Sequence, residues 1–150
     1  MAEFKDRLRT DLTAAMKAKD ALTTQTLRMA MAAIANEEVA GKQARELSAA
    51  EEQAVLTREV RKRRESATVY ADAGRAELAE KETAEADLLA AYLPAPLSED
   101  ELDAIVAEEV GNVPDATIKQ MGLIIKAVNA RVQGRAEGSV VAAKVKAALS

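Results

Sequence analysis

The chain has 150 residues, with 21 Lys and Arg, 25 Asp and Glu, and neither His nor Cys. These absences exclude a thiolate nucleophile, a Ser-His-Asp triad and a zinc site built from nitrogen or sulfur ligands. Because 34 residues are Ala and only three are aromatic, the composition predicts an all-α protein with closely packed helices and few bulky core side chains.

The spacing of apolar residues predicts two helices near the start of the chain. The first places its apolar residues on one face: Phe4, Leu8, Leu12 and Ala15 or Met16. Asp20 is expected to cap the second helix, and Gly41 follows its end. The apolar face of the second helix consists of Leu27, Ala30, Met31 and Ile34.

A long third helix and a fourth helix complete the predicted N-terminal part. Ser48 and Glu51 have the spacing of a capping box, and they open a helix that stops at Gly74. The fourth helix is predicted from about Ala76 to Tyr92. Residues 1–93 are therefore expected to form one helical domain, a bundle or hairpin with long helices.

Two prolines follow this domain and predict a linker over residues 94–97. Proline disfavours helical backbone in the residue before it, and Pro94 and Pro96 lie only two residues apart. Residues 98–150 are then expected to form a small module of three helices, which we call the tail.

The tail carries a start signal for each of its three predicted helices. Ser98 and Glu101 form a second capping box, while Thr117 and Ser139 are expected to cap the other two helices. The side chains predicted to face inward are Leu102, Ile105, Val106 and Val110, then Ile118, Met121, Ile125, Val128 and Val132, and finally Val141, Val145, Ala148 and Leu149.

Charge is distributed very unevenly along the chain. Residues 76–115 contain twelve acids and one cation, whereas residues 117–150 contain six cations and one acid. A basic end on an acidic chain favours an anionic partner. The alternative is a solvated helix face that the acidic segment of the same protein neutralises.

Two stretches resemble a known family. The first comprises Val60-Arg61-Lys62-Arg63-Arg64-Glu65-Ser66, Tyr70, Ala73-Gly74-Arg75, Leu78-Ala79-Glu80-Lys81-Glu82 and Tyr92-Leu93-Pro94. The second comprises Met121-Gly122, Gly134-Arg135-Ala136-Glu137-Gly138 and Val141. Together they resemble the YqeY family, which is related to the tail domain of the GatB subunit of the tRNA-dependent amidotransferase.

The resemblance implies a function in tRNA binding. The amidotransferase converts glutamate on misacylated tRNA to glutamine, and its tail is implicated in holding tRNA while other domains and subunits do the chemistry. By the same resemblance this chain would bind tRNA or a complex of tRNA and amidotransferase. Any carbon-nitrogen ligase activity with glutamine as amido-N-donor would come by association. Glu137 departs from the Asp or Asn expected before Gly138, so a tight turn built on a short side chain is not expected there.

The residues themselves give no support for catalysis. The sequence has no GxxxxGK[ST] loop for ATP, and adjacent acids such as Glu37 and Glu38 point about 100° apart on a helix and do not converge. We therefore predict no catalytic residue, no metal and no cofactor.

Four cations of the tail are predicted to contact phosphates: Lys119, Lys126, Arg135 and Lys146. Lys119 and Lys126 lie seven residues apart on the side opposite the apolar face, next to Gly122. For Gly122, close helix packing is the preferred interpretation over close approach to a ligand. Arg135 lies in a turn bracketed by glycines, and Lys146 faces away from the apolar side of its helix.

The third helix carries a second basic cluster. Arg58, Arg61 and Lys62 lie away from its apolar face and are predicted as a secondary contact for RNA or a partner. Arg63 and Arg64 flank that face and are expected to pair with acids of the fourth helix, such as Glu80, Glu82 and Glu85.

The composition also indicates how the protein would contact RNA. With so few aromatic residues, stacking on single-stranded bases is disfavoured, and contacts to the backbone of a folded RNA fit better. The alternative function is a helical adaptor whose basic end docks an acidic protein.

No signal peptide and no run approaching about 18 apolar residues is present, so we expect a cytoplasmic protein without membrane contact. The oligomeric state stays open.

Overall fold

The computed structural model describes residues 3–150, and this part of the chain contains seven α-helices, one 3-10 turn at Ile118–Gln120 and no strand. The predicted all-α class is confirmed. The helices are α1 Glu3–Lys17, α2 Ala21–Glu38, α3 Ala49–Asp72, α4 Ala76–Ala90, α5 Glu99–Gly111, α6 Met121–Val132 and α7 Gly138–Leu149.

The chain divides into two compact units, Met1–Pro94 and Ala95–Ser150. The first contains α1 to α4, and the second, which we call the tail unit, contains α5 to α7. The division falls at the proline-rich segment that the sequence predicts as a linker. Whether each unit folds by itself stays a prediction.

The first unit is built around one apolar core. Its helices start as predicted: the Asp20 carboxylate accepts a hydrogen bond from the backbone N–H of Thr23, and Ser48 and Glu51 form a complete capping box. Of the two candidates at the end of α1, Ala15 is buried whereas Met16 is half exposed. The core consists of Phe4, Leu8, Leu27, Ala30, Ile34, Leu47, Val55, Leu56 and Leu89.

α3 and α4 form a hairpin that is buried only at its base. Gly74 reverses the chain with a φ of 75°, a left-handed conformation that glycine adopts without strain. The residues between Arg63 and Glu85 include no buried side chain. The outer half of the hairpin therefore lacks a core of its own.

The tail unit has a second core, separate from the first. The capping box of Ser98 and Glu101 is complete, and Thr117 accepts a hydrogen bond at the start of the 3-10 turn. The core consists of Leu102, Val106, Ile124, Val128, Val132, Val141 and Val145.

Three expectations for the tail were wrong. Ile118 is 52% exposed because it lies in the 3-10 turn, where three residues per turn rotate its side chain away from the α-helical face. Ala148 is exposed in the last turn of α7, where Leu149 packs against the core instead. Ser139 is no cap, since α7 begins at Gly138, with Glu137, two residues before Ser139, at the cap position and no side-chain cap bond.

The length and polarity of each helix determine whether it could span a membrane. In the described part of the chain, no helix is both long and apolar enough to cross a bilayer. Even α3, with 24 residues, carries a run of charged side chains along its middle.

Candidate nucleic-acid interface

The acids of α5 neutralise two of the six tail cations. Arg131 lies 2.7 Å from Glu108 and 3.2 Å from Glu109. Lys144 lies 2.7 Å from Asp103 and 3.2 Å from Glu99. Hydrogen bonds to these carboxylates raise the pKa of both cations. For Arg131 and Lys144, neutralisation by the acidic segment is therefore the correct interpretation.

Three lysines of the tail remain free of such neutralisation. Lys119, Lys126 and Lys146 are exposed, and none of them forms an ion pair with any residue in 3–150. An ammonium group without an internal partner keeps its full charge available to a ligand. These three were predicted as phosphate contacts, and the structure leaves each of them accessible.

Arg135, the fourth predicted contact, is partly used within the tail unit. Its side chain is half-buried, and Nε donates a hydrogen bond of 2.8 Å to the carbonyl of Ala95. The backbone carbonyl of Arg135 accepts a second bond, of 3.0 Å, from the N–H of Leu97. Arg135 thus anchors the start of the tail unit, so it is less available to a ligand than the three lysines.

The turn that holds Arg135 does not depend on Glu137. Gln133 and Gly134 adopt left-handed backbone with φ of 50° and 78°, and these two residues reverse the chain after α6. Glu137 has extended backbone at the start of α7. The longer acid at this position is therefore compatible with the turn, because no short side chain is needed there.

The solvent face of α6 brings several exposed residues together around Gly122. Lys126 lies four residues after this glycine on the same side of α6, and Lys119 lies in the 3-10 turn that leads into the helix. Leu123 lies beside them and is 63% exposed. Leu123 was not predicted from the sequence, and its position outside the predicted apolar face does not identify it, because Ile124 also lies outside that face and is buried.

Gly122 is not a packing residue. A Cβ built on it would meet no heavy atom within 4 Å, and the residue is exposed. The preferred interpretation, close packing between helices, is therefore wrong. Nothing in the tail unit requires glycine at this position.

The basic cluster on α3 is mostly neutralised. Arg58 pairs with Glu37 at 3.3 Å, and Lys62 lies 3.8 Å from Glu59. Of the three residues predicted as a secondary contact, Arg61 alone is exposed and without an ion pair in the described part of the chain. This second set therefore offers much less free charge than the tail.

The other two cations of the cluster pair with α4, as predicted. Arg63 is 4% exposed, and its Nε lies 3.4 Å from a Glu85 carboxylate oxygen. Arg64 pairs at 3.1 Å with Asp87, an acid of α4 other than those named from the sequence. Both arginines are therefore part of the fold of the hairpin.

Comparison with known proteins gives one family for this chain. The family model described as Yqey-like protein matches residues 5–149, nearly the whole sequence. A search of curated proteins finds no match. The stretches that carry the resemblance, residues 60–94 and 121–141, lie inside the matched region.

Proposed function

The chain belongs to the YqeY-like family, and we propose that it is a non-catalytic protein that binds tRNA, alone or in a complex with an amidotransferase. One observation carries the proposal. Lys119, Lys126 and Lys146 are exposed and unpaired, in a unit whose other lysine and Arg131 are held by carboxylates of α5. Any carbon-nitrogen ligase activity belongs to the amidotransferase, since this chain has no His, no Cys and no loop for ATP.

Free lysines on helical surfaces suit the phosphate backbone of a folded RNA. Lys and Arg contacts to phosphates position a protein on nucleic acid without reading its sequence. Sequence-specific recognition of single strands uses aromatic side chains, and the tail unit has none. We therefore expect similar affinity for different tRNAs.

The same free charge fits the alternative function, an adaptor that docks an acidic protein. Both functions weaken with salt, because both are electrostatic. Leu123 is compatible with either partner, since an exposed apolar side chain can pack on ribose or on protein. Ribonuclease separates the two, because only an RNA-dependent association is lost when RNA is digested.

A titration of labelled tRNA tests the proposal. The variant carries Lys119→Ala, Lys126→Ala and Lys146→Ala together. The control is Lys42→Ala, an exposed lysine of the first unit that forms no ion pair among residues 3–150. We expect the triple variant to lose most of its affinity and the control to bind as the wild type does. No binding by the wild type, or equal binding by both variants, would overturn the proposal. A protein partner that survives ribonuclease treatment would then support the adaptor.

A further inference from the structure

We propose that Gly122 is the point where the sugar-phosphate backbone of the bound RNA comes closest to the tail unit. The inference rests on the proposed function, and it adds a close steric fit at Gly122 to the charge contacts of the lysines. Phosphates would contact Lys119 and Lys126, while the bare backbone at Gly122 admits a ribose between them.

The fold itself gives no reason for glycine at this position. Gly122 has no positive φ, and a Cβ on it would meet nothing within 4 Å. Glycine in a helix lowers stability relative to alanine, because it loses more conformational freedom on folding. Glycine at position 122 therefore lowers the stability of the tail unit relative to alanine, and the packing of the unit does not require it.

The other glycines differ from Gly122 in their place in the structure. Gly111 is the last residue of α5, Gly138 is the first residue of α7, and Gly41 lies in the segment between α2 and α3. Glycine is common at helix ends and in loops for reasons of backbone conformation. Gly122 is the second residue of α6, but the 3-10 turn Ile118–Gln120 comes directly before this helix, so turns of helix lie on both sides of the glycine.

The surroundings of Gly122 indicate what approaches it. Residues four positions apart are neighbours on an α-helix, so Lys126 lies one turn after the glycine on α6, and Lys119 precedes it in the 3-10 turn. Neither lysine has an ion pair within the described residues, and Leu123 adds an exposed apolar surface at the same place. This arrangement complements the backbone of RNA. The two lysines would meet successive phosphates, and the surface of Gly122 and Leu123 would meet the sugar that joins them.

The test compares two glycines that lack internal neighbours. Gly122→Ala and Gly122→Leu are measured beside Gly111→Ala and Gly111→Leu, because an added side chain at Gly111 also meets nothing within 4 Å. Thermal unfolding is recorded for every variant. We expect both alanine variants to melt at the wild-type temperature or a few degrees above it.

Binding of labelled tRNA then separates the two positions. We expect the dissociation constant to rise roughly tenfold or more for Gly122→Leu and less for Gly122→Ala, with no change for either Gly111 variant. The slope of log affinity against log salt should stay at the wild-type value, because no charge is removed. A folded Gly122→Leu variant that binds as tightly as the wild type overturns the inference.

One further variant separates failure of this inference from failure of the proposed function. If Lys126→Ala weakens binding while Gly122→Leu does not, RNA binding stands and the close approach at Gly122 is wrong. If the wild-type protein binds no tRNA, the proposed function fails and the inference fails with it.

Discussion

The guanidinium of Arg63 lies 3.4 Å from the carboxylate of Glu85, and both side chains are almost completely buried. Glu59, one turn earlier on α3, contributes a second carboxylate at 3.2 Å. Removing charges from water is costly, so a buried cation is tolerated only where partners compensate for the lost hydration. This contact joins α3 to α4 at the base of the hairpin, where the last buried residue of α3 faces the first of α4.

Loss of Arg63 should destabilise the first unit strongly. Arg63→Ala leaves Glu85 buried without its partner, and we expect a decrease of about 3 to 5 kcal/mol in the free energy of unfolding. The matched control is Arg64→Ala, since Arg64 forms an exposed pair with Asp87 whose removal should cost about 0 to 1 kcal/mol. Urea unfolding followed by circular dichroism measures both. Equal effects of the two substitutions would show that burial of the pair contributes nothing.

The helices and most of their caps could be predicted from the sequence, because both depend on residues close together along the chain. Asp20, Ser48 and Ser98 cap their helices through contacts within three residues. The errors at Ile118 and Ser139 also have local causes, a 3-10 turn and a helix that starts two residues earlier than predicted. A periodic pattern identifies a helix more reliably than it identifies the helix ends.

The candidate site could be predicted only in part. The sequence places six cations in the tail, but which of them stay free depends on how α5 packs against α6 and α7. Lys144 is paired with Asp103, 41 residues away along the chain, and no local pattern predicts such a contact. The exposure of Gly122 depends on tertiary packing in the same way, which is why its interpretation was wrong.

The cap of α3 should make stability depend on pH. Hydrogen bonds from Arg45, and then from the backbone N–H of Ser48, lower the pKa of Glu51 from 4.5 to about 2. A carboxyl group with a lowered pKa contributes stability above its ordinary value, and that contribution is lost as the pH falls from about 4.5 toward 2. Glu51→Gln should therefore melt lower than the wild type at pH 7, and the difference should shrink across this range.

Melting temperatures measured from pH 7 down to pH 2 provide the test for Glu51. Glu65→Gln is the control, because Glu65 is an exposed carboxylate on the same helix and forms no ion pair in the described part of the chain. A difference between Glu51→Gln and the wild type that stays constant over the whole range would contradict the assigned role of the carboxylate.

Arg135 should limit access of proteases to the segment before α5. Limited proteolysis is expected to cut between about Tyr92 and Ser98 and to release a folded tail, since loop segments between compact units are preferred cleavage sites. Arg135→Ala removes the bond to the Ala95 carbonyl, and we expect faster cleavage there. Arg131→Ala is the control, because Arg131 pairs with α5 and, in the part of the chain that the structure describes, forms no ion pair with this segment. Uniform resistance of residues 92–98 in every variant would count against two separable domains.

The last prediction compares two lysines of the tail that differ in their partners. Lys126 is exposed and unpaired among the described residues, whereas Lys144 is bound by Asp103 and Glu99. Each lysine that neutralises a phosphate should contribute about 0.7 to 0.9 to the slope of log affinity against log salt. We therefore expect Lys126→Ala to flatten the slope by this amount, and Lys144→Ala to leave it nearly unchanged. Titrations of tRNA at several salt concentrations measure both slopes. A specific phosphate contact by Lys126 requires Lys126→Ala to flatten the slope more than Lys144→Ala does. If both variants flatten the slope equally, the affinity for RNA depends on the summed charge of the tail unit, and the contact at Lys126 is wrong.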